Sequence, residues 1–464
     1  MTIQPLLDAE LLRRYDQPGP RYTSYPTAPQ FSPAFGEPQL CAAVAASNGD
    51  PIPRRLSLYV HVPFCTSPCF YCGCNRIITR DKGRSDGYLA RLYRETDLVA
   101  ALFDRDREVI QLHFGGGTPN FLSPAQLREV VDTLRSQFHF AGRADADISI
   151  ELDPRFVDPA DVAELGAIGF NRASLGVQDF DPVVQAAVNR IQSVEETTAV
   201  VEACRAAGMR SVNIDLIYGL PNQTLDGFGR TLEQVIAIRP DRLAVYGYAH
   251  LPELFRPQRR IEAADLPSPE TRIALLQLAI ERLTAAGYAY IGMDHFALPD
   301  DELARAQQRG GLHRNFMGYT THADSDLVGL GVSAISHVGD TFSQNPRELP
   351  AWEAALDQGR LPVTRGIRLD EDDQLRADLI QSLMCRGEIP VAALERRYAI
   401  DFETYFADAL QRLQPLVEDR LVALAPGSIR ATSRGRLLLR NIAMCFDRYL
   451  HAPADTPGRF SRAV

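Results

Sequence analysis

Between residues 55 and 300 the chain repeats one pattern six times, a short apolar run followed by a segment of helical period, at intervals of about 25 to 40 residues. The runs at 56–63, 109–114, 148–152, 172–177, 212–218 and 242–248 predict strands. The segments after them predict helices over 86–102, 124–138, 159–167, 182–189 with 194–208, 225–238 and 271–286. Strands that alternate with helices pair in parallel, because each crossover helix carries the chain back to the same end of the sheet and covers a face of it. The predicted fold class is therefore α/β, and ligands of such sheets gather at the carboxyl ends of the strands.

The unusual motifs of the chain fall at those ends. Cys65 to Cys74 follows the first run, Gly115-Gly116-Gly117-Thr118-Pro119 the second, and Glu151-Leu152-Asp153-Pro154 ends the third. Gly176-Val177-Gln178-Asp179 ends the fourth, Asp215 to Pro221 the fifth and Tyr248-Ala249-His250 the sixth. Four of the eight cysteines, Cys65, Cys69, Cys72 and Cys74, lie within ten residues. A C-x3-C-x2-C spacing on one loop can hold three irons of a 4Fe-4S cube and leave the fourth without a protein ligand. A zinc site, a redox dithiol and a disulfide staple are the alternatives. Zinc sites usually pair two such knuckles, whereas Cys41, Cys204, Cys385 and Cys445 are scattered singly. Disulfides suit small secreted domains rather than a chain of this size. Read one at a time, Tyr59 is a core residue, Tyr71 a packing residue, Asp215 a loop cap and Arg190 half of an ion pair, as readily as any is a ligand.

With this spacing after a strand, the chain resembles the radical S-adenosylmethionine (SAM) enzymes. The longer string through Cys74 resembles the oxygen-independent coproporphyrinogen III oxidases of haem synthesis, a likeness that runs nearly end to end. The resemblance implies a radical SAM partial (β/α)6 TIM-like barrel with an N-terminal arm and a mostly helical, winged-helix-like C-terminal domain. The expected divisions are 1–50 for the arm, 51–365 for the barrel and its extension, and 366–464 for a C-terminal helical cap. It implies one 4Fe-4S cluster on Cys65, Cys69 and Cys72 and two SAM molecules. Gly116 and Gly117 would meet the amino group of the first SAM, Glu151 its ribose hydroxyls, and Tyr59 makes a further contact. Second-SAM residues map onto Tyr71, Gly117, Thr118, Gln178, Arg190, Asp215, Ala249 and Ile335. The implied reaction decarboxylates two propionates of coproporphyrinogen III to vinyl groups, giving protoporphyrinogen IX, with electrons from a donor such as flavodoxin or ferredoxin.

Related haem chaperones of the same fold lack the cysteine at position 74 and carry a His-Asn-x-x-Tyr-Trp motif. This chain has Cys74, its string is His313-Arg314-Asn315-Phe316-Met317-Gly318-Tyr319-Thr320, and its one tryptophan, Trp352, lies elsewhere. A chaperone and another radical SAM reaction, such as methyl transfer, are the alternatives. Met317 stands where the resembled oxidases carry Gln, so an amide becomes an apolar thioether at a position implied for the second SAM or the substrate.

A length of 464 residues with 45% hydrophobic and 23% charged content describes a globular chain of one large domain and smaller ones. A net charge of −10 argues against nucleic acid as the main partner. An acidic protein that receives a four-propionate substrate must gather arginines locally, and Arg21, Arg190 and Arg314 are the candidates. The first ten residues carry early acids and do not read as a signal peptide. No stretch reaches the roughly 18 apolar residues of a membrane span. The expected setting is a monomer in a reducing cytoplasm. Beyond residue 369, helices are expected at 373–384, 390–398, 401–416 and 435–449, with a β-ribbon at 421–430. The histidines near motifs, His61, His113, His250, His295 and His313, read as hydrogen-bonding residues rather than metal ligands, since none pairs at an i,i+4 spacing with acids.

Overall fold

The computed structural model describes residues 9–451 and 460. The ends of the expected arm and cap, residues 1–8, 452–459 and 461–464, lie outside them. All six expected strands form: β1 (Arg55–Val62), β2 (Glu108–Gly116), β3 (Asp147–Leu152), β4 (Arg172–Gln178), β5 (Ser211–Tyr218) and β6 (Arg242–Gly247). They pair in parallel in chain order. Helices Arg84–Ala100, Pro124–Gln137, Pro159–Ile168, Val194–Ala206, Leu225–Ile238 and Pro269–Ala285 follow them. Several begin on side-chain caps that the sequence spells out. Ser123, Asp158 and Ser193 each accept from the amide three residues on, a contact typically worth about 1 kcal/mol.

Alternation along the strands decides what the barrel encloses. On β1, Leu56, Leu58, Val60 and Val62 are fully buried in the main apolar core. The intervening Ser57, Tyr59 and His61 fall on the other face, because successive side chains of a strand point oppositely. Gln111 and His113, Asp147 and Ser149, Arg172 and Ser174, Ser211 and Asn213, and Arg242 and Tyr246 repeat that choice and line one interior cavity of about 170 Å³. The interior is thus polar. Its lower end is closed by ion pairs, Asp147 with Arg172 (2.9 Å) and His322 (3.0 Å), and Arg242 with Asp301 (2.8 Å).

The sheet runs past the six units at both edges, which the repeat did not foretell. β1 pairs in parallel with Ser325–Leu330, and antiparallel strands Ile335–Val338, Thr341–Gln344 and Arg365–Arg368 follow. β6 pairs antiparallel with His295–Ala297, which pairs with Ala289–Gly292. The two outermost strands do not pair with each other, so the barrel is open. A hairpin of His313–Asn315 and Gly318–Thr320 brings Met317 and Tyr319 to the barrel interior.

The arm packs on the barrel, as expected, and on the C-terminal module as well. Leu11, Tyr15, Tyr22 and Tyr25 are buried in the core of the C-terminal module, where each of the three tyrosine hydroxyls is hydrogen-bonded, that of Tyr25 accepting from the Arg448 amide (3.1 Å). Tyr15 donates to Asp419 (2.7 Å) and Tyr22 to Asp447 (3.0 Å). Its helix Glu37–Asn48 packs on the barrel side through Leu40 and Val44, and Arg13, Arg21 and Phe35 also reach the barrel. In the module, helices Glu371–Arg386, Val391–Tyr398 and Ala407–Glu418 lead to a ribbon of Val422–Ala425 and Ser428–Ala431, joined by Glu388–Ile389. The helix expected over 401–416 is split at Phe406, whose ring is buried against Phe402 and Phe446, with centroids 4.7 and 5.6 Å away. The helix expected over 435–449 is also broken, into Gly435–Leu438, Leu439–Met444 and Arg448–His451. Asp447 ends it by accepting from the Tyr449 amide (2.9 Å), a helix-start contact.

Candidate active site

After β1 the chain forms a cysteine loop closed by a two-residue parallel pairing of Phe64–Cys65 with Ile77–Ile78. The loop is pinned from outside. Phe70 N–H donates to the Val188 carbonyl (3.0 Å), the Asn189 amide to the Pro68 carbonyl (2.6 Å), and Arg76 to the Cys69 (3.2 Å) and Cys72 (3.3 Å) carbonyls. Each of three sulfurs receives a donor. Thr118 Oγ1 lies 3.2 Å from Cys65 Sγ, Arg190 Nη1 3.4 Å from Cys69 Sγ, and the Cys74 amide 3.4 Å from Cys72 Sγ. Donors of this kind favour thiolates. The hydrogen bond from Cys74, with the charges of Arg76 and Arg190, brings the Cys72 thiol down to about 6, while burial pushes Cys65 up to about 11. Among the described residues no three His, Cys, Asp or Glu groups close on a single metal ion.

The sulfurs open on a cleft of about 290 Å³ at the carboxyl rim, shared by Tyr71, Gly116, Gly117, Thr118, Glu151, Gln178, Arg190 and Asp215. Two glycines there are dictated by contact. Gly116 has φ +109°, and a Cβ would sit 2.5 Å from the His61 ring; one on Gly117 would sit 2.7 Å from the Pro63 backbone. Gly117 N–H donates to the Val62 carbonyl (2.8 Å), holding the glycine turn against the cysteine strand.

Glu151 accepts from the Gly116 amide (3.2 Å) and from His113 Nε2 (3.4 Å). Asp215 accepts from Ser174 (3.0 Å) and Asn213 (2.8 Å), and burial, with Glu151 nearby, pushes it up to about 6. Tyr59 lies just below the rim. Its ring stacks on His113 at 5.9 Å, and its hydroxyl donates to His61 Nδ1 (3.1 Å), whose Nε2 donates to the Asn75 carbonyl (2.9 Å). His250 pairs with the Tyr248 hydroxyl (3.0 Å), and His313 accepts from Gln381 (2.6 Å).

Arg190 spends four of its five N–H donors in an unexpected way. It donates through Nε and Nη2 to the Gly176 carbonyl and through Nη1 to Asp153 (3.1 Å) and Cys69. Ala249 and Ile335 do not line the cysteine cleft. Gln258 bridges the carbonyls of Ala249 (3.1 Å) and Tyr71 (2.9 Å), so Ala249 is one side chain away. Ile335 starts strand Ile335–Val338 in the sheet extension, packed against the Phe31, Phe342 and Leu369 cluster. Sequence reading missed Asp153, Arg155, Tyr246 and Gln258. Arg155 donates to Asp153 (2.7 Å) and approaches Cys69 Sγ (3.7 Å). The Asp153-Pro154 step at the end of β3 was the one available signal.

Comparison with known proteins yields one family. Residues 59–235 match the Radical SAM superfamily and residues 369–438 the HemN C-terminal domain. The chain is 53% identical to the oxygen-independent coproporphyrinogen III oxidase of Pseudomonas aeruginosa, over 98% of each chain. It is 49% identical to the protein of the same name from Escherichia coli, over 100% of each. The solved structure of coproporphyrinogen III oxidase (HemN) from Escherichia coli, a radical SAM enzyme, superposes with a TM-score of 0.90, covering 96% of this chain and 99% of that one.

Proposed function

The chain belongs to the oxygen-independent coproporphyrinogen III oxidases of the radical SAM superfamily, and from that membership we propose how its own residues serve the reaction. It is an oxidoreductase that decarboxylates two propionates of coproporphyrinogen III to vinyl groups, giving protoporphyrinogen IX. The haem-chaperone and methyl-transfer readings are not favoured. When bound, a 4Fe-4S cluster and SAM supply the one-electron cleavage that generates a hydrogen-abstracting carbon radical.

Cys65, Cys69 and Cys72 hold the cluster. The observation that carries this assignment is that these three sulfurs share one cleft with Gly116, Gly117, Glu151, Gln178 and Asp215. Gly116, Gly117, Glu151 and Tyr59 serve the first SAM. A carboxylate is acceptor-only, so Glu151 suits a pair of ribose hydroxyls. Tyr71, Gly117, Thr118, Gln178, Arg190, Asp215, Ala249 and Ile335 serve a second. Arg190 has five N–H donors and spends four here. A two-pronged bond to a methionine carboxylate therefore requires it to release one partner. Donors to the Cys69 sulfur from Arg155 and Arg190 tune the cluster, as hydrogen bonds to sulfur do.

The C-terminal module, 366–464, serves as a cap, and the protein acts as a monomer in a reducing cytoplasm with a flavodoxin or ferredoxin as donor. All eight cysteines are free, which supports that setting. Anaerobic assay of the reconstituted protein with reductant, SAM and coproporphyrinogen III is expected to yield the divinyl product; an intact cluster without that product would overturn the reading. Equilibrium dialysis against SAM is expected to give two molecules per chain, falling toward one in Asp215→Asn. Gly117→Ala is expected to lower both reconstituted iron and SAM binding at least tenfold, roughly the loss seen when support around a metal site is removed; iron analysis and dialysis check it.

A further inference from the structure

Both arginines that line the barrel interior are paired. Arg172 meets Asp147 (2.9 Å) and Glu302 (2.7 Å), and Arg242 meets Asp301 (2.8 Å) and Glu302 (2.9 Å). Of the three arginines read from the sequence as candidates for acid side arms, two are engaged as well. Arg190 is held at the cysteine cleft, and Arg21 lies 3.8 Å from Asp294 and donates to the Gly247 carbonyl (3.2 Å). Arg314 is the exception. It is 6% exposed, its Nε and Nη1 are sealed from solvent, and its side chain makes no hydrogen bond or ion pair among the described residues. A buried guanidinium without an acceptor is costly, because nothing replaces the water it gave up.

The hairpin fixes where this guanidinium lies. Arg314 stands opposite Tyr319, so both side chains leave the same face, and Tyr319 lines the interior cavity. The guanidinium lies over the Tyr319 ring at 4.8 Å, a contact that orients it and leaves its N–H groups unused. The row continues inward. Tyr319 meets the His295 ring edge-on at 5.1 Å, and His295 meets Tyr246 in the same way at 5.8 Å. His295 Nδ1 is buried without a partner, and the Tyr246 hydroxyl makes no hydrogen bond among the described residues. Burial and the charge of Arg314 push His295 down to about 3, so at neutral pH the imidazole is uncharged and keeps one N–H to offer. Three groups that donate hydrogen bonds thus follow one another along one side of the barrel with no acceptor.

The interior is continuous with the chemistry. Glu151, Ser174, Asp215 and Tyr246 line both the barrel cavity and the cysteine cleft. A volume of about 170 Å³ holds on the order of five water-sized groups, which admits a short side arm and excludes a macrocycle. The end of such an arm must be an acceptor. A carboxylate matches a guanidinium through paired, charge-assisted N–H···O bonds, and its lone pairs take further donors. We propose that Arg314, with His295 and Tyr246, forms a carboxylate subsite of the barrel interior that takes one propionate arm of the substrate reaching in from the cysteine cleft, and so orients the macrocycle above it. The proposal rests on the substrate assigned above.

The test pairs binding with stability, both on the anaerobically reconstituted enzyme. Fluorescence titration of the wild type is expected to show tighter binding of coproporphyrin III, which has four propionates, than of a porphyrin that has two. Arg314→Met, which keeps the length of the side chain and removes its charge, is expected to bind coproporphyrin III at least tenfold more weakly, the loss of about one charge-assisted pair. Arg314→Lys should recover part of that. The thermal midpoint of Arg314→Met without porphyrin is expected to stay at or above that of the wild type, since an unpaired buried charge has been removed; a packing role on Tyr319 alone predicts a lower midpoint and unchanged affinity. A wild type without the preference, or a folded Arg314→Met that keeps it, would overturn the subsite. Should Arg314→Met fail to fold, Tyr246→Phe, which removes only a hydroxyl, decides the matter by the same ratio. Equilibrium dialysis separates the other source of a carboxylate: a fall in bound SAM with porphyrin affinity intact would assign Arg314 to SAM and overturn the proposal. The titration needs no turnover, whereas absence of divinyl product from the wild type counts against the assigned reaction, so the two failures are distinguishable.

Discussion

Serine at Cys65, Cys69 or Cys72 is expected to abolish turnover and to leave less than the full complement of iron after anaerobic reconstitution. Each of these sulfurs sits at one cleft and receives its own hydrogen-bond donor, so no neighbour can stand in for a lost ligand. Cys74→Ser is expected to differ. Cys74 is exposed; its backbone amide, which serine keeps, donates to Cys72 Sγ at 3.4 Å, and a serine hydroxyl can replace the hydrogen bond its thiol gives that sulfur. Its iron content should therefore match the wild type. Iron and sulfide analysis with visible absorbance distinguishes the four variants. Equal iron loss in all four would show that the loop uses Cys74 as a ligand and that the three-cysteine assignment is wrong. Replacing a donor alone, as in Thr118→Val, should be milder, about tenfold in activity, since it alters the ligand's surroundings and not the ligand.

At pH 5, Glu95→Ala is expected to destabilise the fold by about 3 kcal/mol, because it removes the acceptor of the buried Gly331 amide and Trp352 indole. Glu95 is 1% exposed in helix Arg84–Ala100. It accepts from the Gly331 amide (2.7 Å), Asn345 (2.6 Å) and the Trp352 indole (3.2 Å). These contacts tie the helix to the sheet extension beside β1, where Tyr88 also donates to the His61 carbonyl (2.6 Å). Trp352 is the only tryptophan in the chain and stacks on Tyr88 at 4.7 Å, so its fluorescence reports urea unfolding of this region. A change below about 1 kcal/mol would refute the assigned role.

The same residue gives a pH dependence of definite sign. Burial pushes Glu95 from its ordinary 4.5 up to about 7, against the pull of its three donors. Between those values the folded chain holds a proton that the unfolded chain has lost, so this residue's contribution to stability is full below 4.5 and declines as pH rises through 7. The wild-type advantage over Glu95→Ala should therefore narrow by up to about 3 kcal/mol across that window. Paired unfolding curves at pH 5 and pH 8 check the direction.

Much of the site was legible in sequence because its signals are local. Cys65, Cys69 and Cys72 are bound together by spacing alone, and the three glycines from 115 to 117 announce a close backbone approach directly after a strand. Glu151 and Asp215 occupy strand ends, and parallel pairing carries strand ends to one rim. The broken helices after residue 400 were not legible. Phe406 and Asp447 interrupt a helical pattern through contacts with Phe446 and with Tyr22 of the arm, which lie far from them in sequence. The sheet extension was also hidden, since Ser325–Leu330 and the strands beyond it are short and lack the helix spacing that marked the first six.

By itself, the sequence determined the parallel sheet, its catalytic rim and the cysteine loop, since each depends on residues within a few positions of one another and on the two-residue period of a strand. Only the tertiary structure decided which donors reach the sulfurs, that Arg190 is shared among Asp153, Gly176 and Cys69, and that Arg314 and Tyr319 meet His295 and Tyr246. Those outcomes join residues as many as 121 positions apart. Electrostatic attraction and hydrogen bonding act through distance in space, which no local pattern records.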